Sequence, residues 1–318
     1  MTTGASLRLR TVVHNLVFQN PIVLAAGTAG YGEELTDVVG LGSLGGFVTK
    51  AVSRDPRAGA PSPRVAEFDG GMINAVGLAN PGLDAVRAEN VPWLASHLPD
   101  TRKIVNVVGF TVDEFATVVA GLEDTLRQIP GSAVDAFELN VSCPNTRAGG
   151  LEFGADPVSL RAVVSQARRE TKRPLFVKLS PTLVDIGHAA RIAADAGADA
   201  ISVVNTIPGL MIDVERRRPV LGFGTGGVSG PTILPVGVLA TWKVRRAIAL
   251  PILGLGGVTS AHDALQYIIA GASLVGIGTA ALRDPRAPER IVGELERWCQ
   301  RHGVANIQEL CGTLEWPI

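Results

Sequence analysis

AGADAISVVNT (residues 196–206) and AGASLVGIGTA (residues 270–280) are two versions of one sequence pattern. Each begins with Ala-Gly-Ala, a sequence suited to the end of a helix, and continues into a short apolar run typical of a buried strand. A helix followed at once by a buried strand is the repeating unit of α/β proteins. The pattern therefore predicts a fold built from repeated βα units, with weak internal repetition.

Similar apolar runs, rich in Val, Ile and Leu, recur along the whole chain and indicate parallel strands that are covered on both faces. The predicted strands are 22–26, 46–51, 104–109, 136–142, 175–180, 200–206, 252–257 and 274–279. Helical patterns lie between them at 80–98, 112–128, 157–171, 183–196, 231–248 and 260–270. For the last helix, Ser260 is a plausible N-cap, with Asp263 three residues on and Gly271 at the end. Eight units in 318 residues predict an α/β fold of the (β/α)8 TIM-barrel type, and residues 1–318 are predicted to form a single domain.

The main alternative is a doubly wound open sheet. The barrel is favoured because no glycine fingerprint follows the first strand, and because polar residues come at the carboxyl ends of most strands. In a barrel these ends converge on one face, where active sites are found. The polar residues at the strand ends are Lys50, Asn140, Ser142, Lys178, Asn205, Thr206 and Thr279.

Composition excludes several classes of function. Lys plus Arg number 29 and Asp plus Glu 30, so the net charge of −1 offers no electrostatic basis for binding nucleic acid or an anionic membrane. Only three cysteines occur, with no C-x-x-C spacing, which predicts no metal site and no disulfide framework. Together with the lack of a long apolar segment at the amino terminus, this indicates a cytoplasmic protein without a membrane anchor.

Glycines and lysines mark the predicted active face. LGLGG (253–257) and GIGT (276–279) end the last two strands, the usual phosphate-binding position in barrels, although either glycine pair could simply form a tight turn. Lys50 and Lys178 each end an apolar run. A lysine inside a barrel is costly unless it is paired or faces a ligand, the alternative being a side chain that extends to solvent.

The segment ELNVSCPNTRAGGLEFGADP (138–157) is the most informative. Cys143 begins a loop at the predicted active face, where a cysteine can act as a base or a nucleophile, and its reference pKa of roughly 8.5 suits proton abstraction at mildly alkaline pH. Cys299 and Cys311 fit the ordinary interpretation of buried apolar residues. No histidine lies near the strand ends, which disfavours a Cys–His thiol hydrolase. Four asparagines, at positions 74, 106, 140 and 205, would suit a planar heterocycle that carries a carboxylate. The long loop 207–230 suggests a lid or a binding segment, and Arg216 to Arg218 within it are interpreted as a solvated charge run.

Several motifs, in matching order from about residue 8 to the carboxyl terminus, make the sequence resemble the dihydroorotate dehydrogenases. They are MINAVGLANPG, ELNVSCPNT, VKLSPT, VNTIPGLMIDVERRRPVLG, GGVSGP, GLGGV and GIGTA. The resemblance implies a TIM barrel that binds FMN tightly and oxidises dihydroorotate to orotate in pyrimidine synthesis. It further implies that Cys143 removes a proton from C5 while C6 delivers hydride to N5 of FMN, and that Lys178 stabilises the charge of the reduced flavin.

The resemblance also assigns binding residues. Those around FMN are Ala26, Lys50, Ala51, Asn106, Asn140, Lys178, Val204, Gly230, Gly256, Gly257, Gly278 and Thr279. Those around orotate are Lys50, Asn74, Ala75, Val76, Gly77, Leu78, Asn140, Asn205 and Thr206. Ala26 departs from the family pattern, in which serine is common, so a hydrogen bond to the flavin is expected to be missing.

The stretches 149–157 and 212–222 look like the NAD-linked subclass, whose barrel subunit pairs with a subunit that carries FAD and an iron–sulfur cluster. The resemblance thus implies a homodimer within a heterotetramer, with a fumarate-dependent enzyme as the alternative. The related dihydropyrimidine dehydrogenases share the SCP motif, but their catalytic cysteine resembles a position where this chain has Phe153. A barrel that only binds flavin or phosphate is disfavoured because Lys50, Cys143 and Lys178 occur together. A phosphate-handling isomerase lacks an evident acid–base pair.

Overall fold

A computed structural model of the chain describes residues 7–98, 101–129, 133–142, 144–145 and 151–317. Eight parallel strands form a closed barrel in which each strand pairs with the next and the last pairs with the first. This arrangement confirms the predicted (β/α)8 barrel. The strands are β1 (Ile22–Leu24), β2 (Gly46–Val48), β3 (Arg102–Val107), β4 (Ala136–Asn140), β5 (Leu175–Leu179), β6 (Ala200–Val203), β7 (Ile252–Leu255) and β8 (Leu274–Ile277).

The strands end one to three residues before their predicted carboxyl ends. Some hydrogen bonds between strands continue past the strand ends, since the backbone N–H groups of Ala25, Thr49 and Val204 still donate to a neighbouring strand. At its other end β3 begins two residues early, at Arg102. The apolar pattern does not include Arg102 because arginine is polar. In the structure its guanidinium forms an ion pair with Asp135 at 2.8 Å. The residues just past each strand end are therefore the ones that line the active face.

All six predicted helices are present. The α-helices are Leu83–Ala85, Val91–His97, Val112–Leu126, Pro157–Glu170, Ile186–Asp195, Leu234–Ala247, Ala261–Ala270, Thr279–Arg283 and Ala287–Arg301. A π-helical turn, Val86–Asn90, divides the predicted helix 80–98, and 3-10 turns lie at Glu33–Leu35, Leu41–Ser43, Phe153–Ala155, Pro231–Ile233 and Ile307–Leu310. The predicted N-cap of Ala261–Ala270 is confirmed, because Ser260 and Asp263 form a reciprocal capping box.

Apolar packing fills the barrel and the space between barrel and helices. Ile104, Phe176 and Leu253 belong to the interior cluster and are fully buried. A hairpin of Thr11–Val13 and Leu16–Phe18 closes the amino-terminal end of the barrel, with Val13 and Phe18 in the same cluster. Since this end is closed by packing, a ligand can approach the barrel interior only from the opposite face.

A four-stranded antiparallel sheet covers part of that opposite face, and we call it the lid sheet. Its strands, in spatial order, are Ile207–Gly209, Gly226–Ser229, Gly71–Asn74 and Val65–Phe68. The segment 207–230, predicted as one long loop, therefore contains two strands of this sheet, and Asn74 lies at the end of a third. Two shorter antiparallel pairs join Ile212–Asp213 to Arg218–Pro219 and Pro144–Asn145 to Leu151–Glu152. Within the described ranges, no helix has the length and apolar character needed to cross a bilayer.

Candidate active site

A cavity of about 450 Å³ opens at the carboxyl ends of the barrel strands, beneath the lid sheet. Its size is in the range of small-molecule binding sites, which is roughly 300–1,000 Å³. All the residues predicted around the cofactor line it, so they come together from many separate parts of the chain. They are Ala26, Lys50, Ala51, Asn106, Asn140, Lys178, Val204, Gly230, Gly256, Gly257, Gly278 and Thr279.

Most of the residues predicted around the substrate line the same cavity, and the others lie beside it. The first group is Lys50, Asn74, Val76, Leu78, Asn140, Asn205 and Thr206. Ala75 and Gly77 instead line an adjoining crevice of about 440 Å³, which shares Asn74, Asn205 and Thr206 with the cavity. The structure thus places the two predicted groups in one continuous region.

The charge of the cavity is one-sided. Its described lining holds two lysines, Lys50 and Lys178, and no acidic residue. The Lys178 side chain is only 6 % exposed, and in the described part of the chain it has neither a hydrogen-bond nor an ion-pair partner. An ammonium group that is buried without a counter-ion is costly. The cavity therefore suits a ligand that brings negative charge.

Four asparagine amides contribute to the remaining polar surface of the cavity. Asn205 donates from Nδ2 to Oδ1 of Asn140 at 3.4 Å, and its own Oδ1 accepts from the backbone N–H of Thr206 at 2.8 Å. Asn74 donates to the carbonyl of Gly227 in the lid sheet at 3.3 Å. Amides held in this way offer both donors and acceptors to a planar heterocycle.

Two glycines at the predicted phosphate position are required for different reasons. Gly257 has φ +78°, and a Cβ there would lie 2.6 Å from the backbone nitrogen of Leu234. A Cβ on Gly278 would meet no protein atom closer than 3.8 Å, so it would occupy the space of the cavity itself. The turn is held by the buried Tyr267, whose hydroxyl donates to the Gly256 carbonyl at 2.7 Å. Burial raises the pKa of this phenol, which keeps it a donor.

The helix that follows β7 does not contribute a free amino terminus. Ser260 and Asp263 already cap the start of this helix, Ala261–Ala270. The N–H of Ala261 donates to Glu294 at 3.2 Å. A phosphate would instead meet the glycine turns and Thr279, whose hydroxyl donates to Ser229 at 2.9 Å. Ser229 lines the cavity and was not predicted, because its position depends on the lid sheet.

Cys143, the predicted base, lies outside the residues that the structure describes. Its described neighbours place polar groups at the adjoining crevice, which is lined by Ser142, Glu152 and Ser180. Ser142 Oγ and Glu152 Oε2 are buried and have no partner among the residues that the structure covers. Burial raises the pKa of the Glu152 carboxyl, and a hydrogen bond from Ser180 offsets part of this effect.

The raised pKa of Glu152 predicts a pH-dependent change in stability. The folded protein binds this proton more tightly than the unfolded chain, so stability falls as pH rises from the ordinary glutamate pKa through the folded one. Glutamine stays neutral, and we therefore expect Glu152→Gln to raise the melting temperature at pH 7 on the order of 1–2 °C. The gain should vanish near pH 4. A gain of the same size at both values, or an equal gain for the exposed Glu89→Gln, would contradict the assignment.

A second crevice, of about 650 Å³, lies at the amino-terminal end of the barrel and is a poorer candidate. Its lining mixes five basic with three acidic side chains, and two of the basic ones are paired with acidic ones. Arg102 pairs with Asp135 at 2.8 Å, and Arg173 with Glu123 at 3.3 Å. Within the described ranges, no group of three or more His, Cys, Asp or Glu side chains is arranged to hold a metal ion.

Comparison with known proteins gives a consistent assignment. The sequence profile described as dihydroorotate dehydrogenase matches residues 8–298. A protein of Pelobacter propionicus named dihydroorotate dehydrogenase B (NAD(+)), catalytic subunit, is 48% identical over 94% of this chain and 96% of its own length. A protein of the same name from Trichlorobacter lovleyi is 46% identical, over 95% and 97% of the two chains.

A solved structure agrees with the fold. The crystal structure of DHODH from Eimeria tenella in complex with ferulenol superimposes with a TM-score of 0.81, over 98% of this chain and 90% of that one. Its sequence identity is 24%, so this likeness concerns the fold alone. The profile match and the near full-length relatives show that the chain belongs to the dihydroorotate dehydrogenase family.

Proposed function

We propose that this chain oxidises dihydroorotate to orotate in pyrimidine synthesis, as the FMN-binding catalytic subunit of an NAD⁺-linked enzyme. The observation that carries the proposal is the cavity lining, in which two lysines and four asparagine amides converge without an acidic residue. Dihydroorotate is a cyclic amide with a carboxylate, its oxidation product orotate is planar, and FMN combines an amide-like ring with a phosphate. Both match this lining in charge and in hydrogen-bonding groups, and residues 1–318 would form a single FMN-binding domain.

Three features of the described residues fit FMN. The uncompensated ammonium of Lys178 suits the negative charge of a reduced flavin ring, and Asn106 Oδ1 is a buried acceptor without a partner in the described part of the chain. The surface at Gly278 and Thr279 leaves room for a phosphate. When bound, FMN supplies a two-electron acceptor for the hydride from C6 of the substrate.

The chain's own residues would hold the substrate and move a proton. Lys50 can pair with the carboxylate of dihydroorotate, while Asn74, Asn140 and Asn205 orient its amide groups, and such fixed orientation lowers the barrier. The thiolate of Cys143 takes the proton from C5 in this proposal. The lid sheet and the loop that carries Cys143 would exclude water from the site.

In this proposal the electrons leave through a second protein. The relatives are named catalytic subunits, which implies a separate partner subunit. We propose that this partner carries FAD and an iron–sulfur cluster, that the barrel is a homodimer within a heterotetramer, and that the assembly is cytoplasmic. The chain has only three cysteines, and an iron–sulfur cluster usually requires four thiolates. A fumarate-dependent enzyme is the alternative outcome of the test below.

The test is an anaerobic titration of the purified yellow protein with dihydroorotate, followed by absorbance. We expect one non-covalent FMN per chain and stoichiometric bleaching of its absorption band. Reaction with dihydropyrimidines but not with dihydroorotate, or a colourless protein that binds no added FMN, would overturn the proposal.

The isolated chain should also fail to reduce NAD⁺ at a useful rate. Without the partner subunit, electrons can leave only through an artificial acceptor, which should support rapid turnover with dihydroorotate. The measurement compares NAD⁺, fumarate and the artificial acceptor under the same conditions. Rapid turnover with fumarate would contradict the partner subunit, and rapid turnover with NAD⁺ would require a nucleotide site in this chain.

A further inference from the structure

Glu138 is a buried carboxylate within the barrel that the proposed function leaves without a role. It lies on β4 and is 1 % exposed. Its Oε1 accepts from Nδ2 of Asn106 on β3 at 2.7 Å, and its Oε2 accepts from Oγ of Ser202 on β6 at 2.6 Å. Because β6 is two strands away from β4, the carboxylate that reaches Ser202 must project into the barrel interior.

Stability alone does not account for this group. Within the residues that the structure covers, Glu138 forms no ion pair, and its only side-chain partners are two neutral donors. Removing a carboxylate from water is costly, and two hydrogen bonds from neutral donors return at most a comparable free energy. Apolar residues at these positions would fill the barrel at least as well. A role of Glu138 in arranging the residues that line the neighbouring cavity explains its presence more directly.

The requirement concerns Asn106. A side-chain amide can present either its oxygen or its NH2 group in a given direction, but a carboxylate only accepts hydrogen bonds. Facing Glu138, the amide of Asn106 must therefore turn its NH2 group toward the carboxylate. Its Oδ1 is left without a partner among the described residues, and Asn106 lines the cavity. The identity of residue 138 thus decides whether the cavity is offered an acceptor or a donor at this point.

We propose that Glu138 is a positioning residue that holds Asn106 as a hydrogen-bond acceptor for an N–H group of the bound cofactor ring. This inference rests on the proposed function, since the imide N–H of a flavin is the donor that such an acceptor fits. A cofactor or analogue that presents only acceptors at this point would face the Asn106 oxygen and bind weakly.

Glu138→Gln tests the proposal because it keeps the shape of the side chain. The new amide can accept from Ser202 with its oxygen and donate to Asn106 with its nitrogen, so the Asn106 amide is no longer held in one orientation and can turn to present NH2 to the cavity. We expect the dissociation constant of FMN, measured by fluorescence quenching on the reconstituted apoprotein, to rise about tenfold, the scale of one lost buried hydrogen bond. In an Asn106→Ala background the same change should alter FMN affinity by less than about twofold.

A swapped pair gives a test that also protects the fold. In Asn106→Asp combined with Glu138→Gln, the glutamine donates to the aspartate, and the second aspartate oxygen again offers an acceptor to the cavity. Total charge and the number of hydrogen bonds match the natural protein. FMN affinity should recover to within a few-fold of the natural value, even if the single variant Glu138→Gln fails to fold.

Two controls separate positioning from general damage. Ser202→Ala leaves the bond between Glu138 and Asn106 in place, and Glu123→Gln removes a largely buried carboxylate at the opposite end of the barrel. Both should keep FMN affinity while lowering thermal stability. The inference would be overturned if Glu138→Gln weakened FMN binding as much in the Asn106→Ala background as in the natural protein. It would also be overturned if the swapped pair did not recover FMN affinity. Failure of the natural protein to bind FMN at all would instead overturn the proposed function.

Discussion

Cys143→Ser is expected to slow flavin reduction by dihydroorotate roughly 10²–10⁴-fold near neutral pH, the usual effect of losing a general base. A serine hydroxyl is a far weaker acid than a thiol with a pKa of about 8.5, so the base is lost while the shape of the side chain is kept. FMN and orotate should still bind. Anaerobic stopped-flow absorbance measures the reduction step, and ligand affinity is measured separately on the same variant.

The pH profile adds a second readout. In the natural protein the reduction rate should rise as pH increases through the pKa of the thiol, because the thiolate is the active form. The serine variant should lack this rise. Unchanged kinetics in Cys143→Ser would remove Cys143 from the mechanism, whatever the flavin content.

The other two cysteines provide matched controls. Cys299 is fully buried in the helix Ala287–Arg301, and Cys311 is partly buried near the carboxyl terminus. Burial raises the pKa of both thiols, so both are poorly suited to act as a base. Neither substitution with serine should change the reduction rate. Cys299→Ser places a hydroxyl in an apolar cluster and should lower stability, which makes Cys311→Ser the cleaner comparison.

The barrel could be predicted from the sequence because its strands are covered on both faces and read as continuous apolar runs. The lid sheet could not be predicted in full. Its hairpin of Val65–Phe68 and Gly71–Asn74 carries a local signal in the Asp-Gly pair at 69–70. The pairing of Gly71–Asn74 with Gly226–Ser229 joins segments about 150 residues apart and leaves no local trace in the sequence.

The site shows the same division between local and long-range information. Lys50 and Lys178 stand out in the sequence because a charge at the end of an apolar strand is unusual. Glu138 also interrupts an apolar strand, but its importance depends on Asn106 and Ser202, which come from two other strands. Ser229 reaches the cavity only through the lid sheet. Residues whose roles depend on such tertiary partners cannot be ranked from their own surroundings in the sequence.

Lys178→Met should have opposite effects on stability and on chemistry. Lys178 is 6 % exposed and its ammonium has no partner in the described part of the chain, whereas methionine fills a similar volume without charge. Removing a buried, uncompensated cation relieves its desolvation cost, so the apoprotein should unfold at a higher temperature. The same change removes the positive charge that would stabilise the reduced flavin, and loss of one such preorganised group costs about 10²–10³-fold in rate.

Thermal unfolding of the apoprotein and anaerobic flavin reduction by dihydroorotate measure the two effects separately. Lys172→Met, in the crevice at the amino-terminal end of the barrel, is the control and should leave the reduction rate unchanged. If Lys178 were merely a structural lysine that reaches solvent, its replacement would alter neither property much. If it were an unrecognised stabilising partner, the melting temperature would fall along with the rate. A more stable apoprotein together with a slower reaction is expected only if Lys178 destabilises the empty fold and stabilises the bound ligand.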